Sequence, residues 1–79
     1  MGIREVQPNS NLDNLLTPGI YSSYADCTNI PIQSGLPFVL IVIDTNYQYS
    51  QFFLARDAQE VYVRFAGKSG FNSKAWTKL

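Results

Sequence analysis

The stretch Phe38-Val39-Leu40-Ile41-Val42-Ile43-Asp44 decides how this chain folds. Six apolar residues run without a break, four of them β-branched, and an acid followed by Thr45-Asn46 closes the run. β-Branched side chains are stiff at χ1 and pack well on a pleated surface, so the run reads as a strand. Gly35 and Pro37 just upstream argue against a helix. An unbroken apolar run, unlike an alternating one, predicts burial on both faces. In a chain of 79 residues such a strand must lie centrally, with the rest wrapped around it.

Working outward from that strand, Tyr47-Gln48-Tyr49-Ser50-Gln51-Phe52-Phe53-Leu54-Ala55 follows across a Thr45-Asn46 hairpin. Period-two alternation puts Tyr47, Tyr49, Gln51 and Phe53 on one face, with Gln48, Ser50, Phe52 and Leu54 on the other. Gln51 amid apolar neighbours needs partners if buried, and backbone of a nearby loop is the expected source. After the polar turn Arg56-Asp57-Ala58-Gln59, the segment Glu60 to Phe65 alternates cleanly. It predicts Val61, Val63 and Phe65 toward the core and Glu60, Tyr62 and Arg64 outward. Gly67-Lys68-Ser69-Gly70 is a turn, and Trp76-Thr77-Lys78-Leu79 a last short strand.

Upstream, Leu12, Leu15 and Leu16 share one helical face, with Ser10 or Asn11 as cap and Pro18 as the limit. Thr17-Pro18-Gly19-Ile20 has the residues of a type II turn, and Ile20 to Tyr24 reads as a strand. The segment from Asp26 to Pro37 is a loop rich in turn formers. The fold class expected is mainly β: a small antiparallel meander with one short N-terminal helical turn. Residues 1–10 read as a linker or flexible N-terminus and 11–79 as one knob-like β domain.

The chemistry on offer is sparse. With no histidine, the usual general base and metal ligand are both missing. Cys27 is the only cysteine, so an internal disulfide is excluded, and its neighbours Asp26 and Thr28 do not activate it. Asp13, Asp26, Asp44 and Asp57 fall at helix starts and turns, where the carboxylate caps backbone N–H groups. No phosphate loop or nucleophile elbow is present, so the expectation is a protein that is not an enzyme and needs no cofactor. Formal net charge is zero, with Lys and Arg scattered singly, which speaks against nucleic acid. Neither a signal-peptide run nor a membrane-length apolar stretch occurs, so no membrane insertion is expected. At this length a chain buries only about 60% of its unfolded surface, and a neighbouring subunit is the expected source of further burial.

Aromatic residues make 14% of the sequence. Phe38, Phe52, Phe53 and Phe65 read as core. Tyr21, Tyr24, Tyr47, Tyr49, Tyr62 and Trp76 each join a flat apolar ring to a polar handle, suited to sugar faces or to subunit interfaces. The ligand-binding candidates are Tyr62, Arg64, Trp76, Tyr47 and Tyr49, with Arg64 orienting hydroxyls.

In order, the chain carries Asn11-Leu12-Asp13-Asn14-Leu15, Thr17-Pro18-Gly19-Ile20-Tyr21, Asn29-Ile30-Pro31, the aliphatic strand, Gln51-Phe52-Phe53-Leu54, Val61-Tyr62-Val63-Arg64 and Ala75-Trp76-Thr77-Lys78-Leu79. This pattern, from Asn11 to Leu79, resembles the pyocin knob family, a small module near the ends of phage tail fibres and R-type pyocin fibres. Ile20 stands where that family has an aromatic, Ile30 where it has a small residue, and Ser73 where it has a tryptophan. The resemblance implies a virion tail-fibre module, made in the bacterial cytoplasm and assembled as a homotrimer with other fibre subunits. It further implies attachment to a bacterial surface polysaccharide such as lipopolysaccharide, or a spacer or trimer-interface role without receptor contact.

Overall fold

The computed structural model describes residues 2–72 and 74–79. Met1 of the expected linker, and Ser73 at the position where the resembling family has tryptophan, lie outside the described residues. The fold is mainly β, as the sequence predicts. Its strands are β1 (Ile3–Glu5), β2 (Ser10–Asn11), β3 (Gly19–Ser23), β4 (Cys27–Thr28), β5 (Phe38–Asp44), β6 (Gln48–Ala55), β7 (Glu60–Gly67) and β8 (Thr77–Lys78). Short 3-10 turns span Leu12–Asn14 and Lys68–Gly70.

Six strands form one sheet in the order β1-β3-β5-β6-β7-β8, and β2 with β4 make a small parallel pair beside it. The aliphatic strand β5 is interior, hydrogen-bonded to β3 on one side and β6 on the other. From β3 through β8 the sheet is an antiparallel meander. β1 adds a parallel edge to β3 with Ile3 opposite Ile20, so the sheet is mixed. That edge corrects the reading of residues 1–10 as linker. Val6 is also buried in the core, which a polar stretch with one proline does not announce.

Burial along β5 alternates, which corrects the expectation of a strand covered on both faces. Phe38, Leu40 and Val42 are buried, whereas Val39 and Ile41 are half-buried and Ile43 is exposed. The core lies on one side of the sheet only. Leu40 and Phe53 are sealed from solvent, Phe38 stacks on Phe53 at 4.5 Å, and Leu12, Val6 and Cys27 close over them. Leu15, Ile30, Ile32 and Trp76 pack around the rim. Truncating Phe53 to alanine in so dense a site costs about 3–5 kcal/mol by the usual cavity penalty.

β7 faces the opposite way from the sequence reading. Register pairs Arg64 with Gln51 and Tyr62 with Phe53, so Glu60, Tyr62 and Arg64 lie on the core side. Phe65 pairs with Ser50 and is 57% exposed, and Phe52 is only half-buried. Alternation identifies two faces but not which one receives cover. Here the polar face wins because Arg64 finds buried partners there.

Around Gly19 the type II turn is not formed. Its φ of +156° departs from the value near +80° that such a turn needs, and Gly19 is already the first residue of β3. The Asp44–Gln48 connection is also one residue longer than Thr45-Asn46 suggested. Thr45 Oγ1 caps it by accepting from the N–H groups of Tyr47 and Gln48. A side chain at a φ of +156° is strained even where space exists, and a Cβ on Gly19 would meet the Tyr21 ring at an ordinary 3.6 Å. Gly19→Ala is therefore expected to lower stability by about 1 kcal/mol or more through the backbone alone. Urea denaturation measures it, and an unchanged midpoint would remove the argument.

Candidate functional site

Two features stand out on this scaffold: a buried polar network under the core face, and a bare apolar surface on the other face.

The network begins at the 3-10 turn. Asn11 caps it, its side chain accepting from the Asp13 N–H at 2.9 Å. Capping fixes Asp13 inward, where its carboxylate accepts from Arg64 Nη1 at 2.9 Å, both side chains buried. Arg64 Nε donates to Gln51 Oε1 at 2.8 Å, and Gln51 Nε2 donates in turn to the carbonyls of Leu12 and Leu15 at 2.8 and 2.9 Å. Those are the backbone partners that an amide in an apolar strand requires, supplied by the segment the sequence made a helical turn. Arg64 Nη1 also donates to the Lys74 carbonyl at 3.0 Å. The rings of Phe71 and Trp76 lie 4.6 and 4.4 Å from the guanidinium carbon, cation–π contacts that favour a desolvated cation. Asn29, held at a φ of +57°, donates to Asn11 and Asp13, while Trp76 Nε1 donates to the Asn29 carbonyl at 3.0 Å. Burial pushes the Arg64 guanidinium below its ordinary pKa, and the hydrogen-bonded Asp13 carboxylate opposes that shift.

This arrangement places the five ligand-binding candidates differently from one another. Arg64 is 2% exposed, so it reaches no external hydroxyl. Trp76 is half-buried, edge-on to Phe53 and bonded to Asn29. Tyr62 is half-buried and donates to Glu60, which also accepts from Lys78 across β7 and β8. Tyr49 is half-buried against Phe71, with the Lys68 ammonium 4.7 Å from its ring. Tyr47 is 83% exposed, at the hairpin beyond β6. The structure therefore gathers Arg64 and Trp76 into the core network and leaves Tyr47 apart from them. Tyr21, expected to be amphipathic, is buried and donates to the Thr17 carbonyl.

Other reactive groups are engaged. Burial pushes the Cys27 thiol above its ordinary pKa, against a hydrogen bond from the Ser10 backbone. Asp26 accepts from Ser34, Asp44 from Lys68, and Asp57 from Arg56. Among the described residues no group of acids, cysteine or histidine could hold a metal ion.

The second feature was not read from the sequence. Ile3, Ile20, Ile41, Phe52, Val63 and Thr77 lie in register across all six strands, on the face opposite the core. Flanking rows add Val39, Leu54 and Val61 on one side and Ile43 and Phe65 on the other. None of the ten apolar residues is buried, and none belongs to the packed core or its rim. Alternation in β7 and the half-apolar alternation in β6 carried the signal for this face, but it was assigned to the interior.

No family, no characterised protein and no solved structure matches this chain.

Two measurements probe the core side. Gln51→Leu removes the acceptor of Arg64 Nε and the donor to two carbonyls, leaving a buried charge short of a partner. An expected loss of about 3 kcal/mol in urea unfolding follows. The Glu60 hydrogen bond, aided by burial, raises the Tyr62 pKa, and bonds from Tyr62 and Lys78 lower that of Glu60. The clasp is thus fully present below the ordinary tyrosine value of about 10, and is lost as pH rises through the raised one. Its acid limit lies where pH falls through the lowered Glu60 value. Ultraviolet titration of tyrosinate is expected to show one component above the ordinary value, shifting down in Glu60→Gln. An unshifted profile would dissolve the clasp.

Proposed function

We propose that this chain is a non-catalytic packing module of a phage or prophage tail fibre, its open sheet face set against other fibre subunits. One observation carries the reading: ten apolar side chains dominate one face of the sheet, and no element among the described residues covers them. A surface of that kind is far better suited to a broad partner than to individual sugar rings. The fibre context comes from the ordered pattern shared with pyocin knobs. Four of its positions, Asn29, Gln51, Arg64 and Trp76, belong to the core network, which gives those positions a structural role.

Direct attachment to a bacterial surface glycan, such as lipopolysaccharide, is a second reading, favoured by Tyr24 and Tyr47 at 73% and 83% exposed. Several such weak contacts gain strength when a fibre repeats them. No helix among the described residues is long and apolar enough to cross a membrane.

Tail particles produced with Phe52→Lys in place of the natural chain are expected to lose this subunit, as quantified by mass spectrometry. The isolated variant should keep a wild-type circular dichroism spectrum. Retention at the wild-type level would sink the packing reading. Tyr47→Ala particles are expected to retain the subunit. If they also adsorb to cells more weakly, the hairpin rather than the sheet face meets the glycan.

A further inference from the structure

We infer that the occupant of the open face is a second copy of this chain, seated sheet face against sheet face. This rests on the reading of the chain as a packing module and adds the identity of the partner.

The area comes first. With Ile3, Ile43, Leu54 and Phe65 exposed and the other six half-buried, the ten residues offer on the order of 600 Å² of apolar surface, at the upper limit of what monomers leave bare and most of the ~800 Å² per partner in a standard interface. The chemistry of the face is self-complementary. Its centre is Ile41, Phe52 and Val63, its polar members are small (Ser22, Ser50, Thr77), and charge is confined to the rim. At that rim Glu5 and Arg56, of opposite sign, line one groove of about 300 Å³. A copy laid on this face meets apolar surface at its centre and neither a run of like charge nor an unpaired buried one. A partner of marked charge has nothing here to recognise.

The form of the fold points the same way. Domains close a sheet with a second layer, and among the described residues this sheet has its second layer on the core side only. Facing sheets pack about 10 Å apart with interdigitating side chains, a relief that further grooves of about 370 and 360 Å³ along Leu54 and Ile41 provide. A net charge of zero offers no long-range repulsion between copies.

Sedimentation equilibrium of the full chain, from low micromolar to submillimolar concentration, tests the inference. The expected result is a single monomer–dimer equilibrium, because two copies laid face to face leave no open face for a third. Phe52→Lys and, separately, the more peripheral Phe65→Lys should each raise the dissociation constant at least about tenfold, because either buries an unpaired ammonium. Tyr47→Ala, at the hairpin and off this face, should leave it unchanged. Circular dichroism confirms that each variant is folded. A wild-type monomer across the range overturns the inference, as does an open-ended ladder of sizes, or association indifferent to both lysines. A monomer whose Phe52→Lys form is still lost from tail particles overturns only the self-pairing, and leaves the packing reading with a different subunit as partner.

Discussion

A guanidinium removed from water has to be answered from several directions at once, and the fold is arranged around the answers given to Arg64. Asp13 supplies the counter-charge from the N-terminal turn, Gln51 an amide oxygen from the neighbouring strand, and Lys74 a carbonyl from the C-terminal segment. Phe71 and Trp76 supply ring faces. These partners come from parts of the chain that share no local structure, so one residue determines how the N- and C-terminal segments dock on the sheet. Buried ion pairs add little net stability compared with apolar packing, but breaking one is costly. Their effect here is on specificity: other dockings of Leu12 or Trp76 would leave the cation unanswered.

That arrangement has a consequence on the far side of the sheet. Both faces carry apolar side chains, yet the described residues cover only one, and the network commits the cover to the face that holds Arg64. Ile41, Phe52, Val63 and Phe65 are left outside. A sheet of this composition in water is incomplete in the sense that a half-sandwich is incomplete. The packing role proposed for this chain and the self-pairing inferred from it both rest on that asymmetry.

Much of this was legible beforehand, for identifiable reasons. The strand character of Phe38 to Asp44 and its interior place follow from β-branched residues in an unbroken run. The Leu12 turn follows from spacing and from Pro18, and the demand of Gln51 for backbone partners from the cost of a bare buried amide. What misled was the unbroken run itself. An apolar residue at every position is equally the mark of a strand buried twice and of one buried once and left open, and only the supply of covering residues separates them. The same ambiguity inverted β7, where Phe65 looked interior and Arg64 exterior by ordinary hydrophobicity. Arg64 as a sugar ligand fell with it, because the spacing of 51 residues to Asp13 carries no local signal.

By itself, then, the sequence determined the class of fold and the antiparallel run of β3, β5, β6, β7 and β8, since propensity and alternation are local properties. The tertiary structure decided which face is inside, which tyrosines meet water, and that Asp13, Asn29, Gln51, Arg64 and Trp76 form one group. It alone could do so, because burial of a charge is settled by the simultaneous arrival of distant partners, a condition no window along the chain contains.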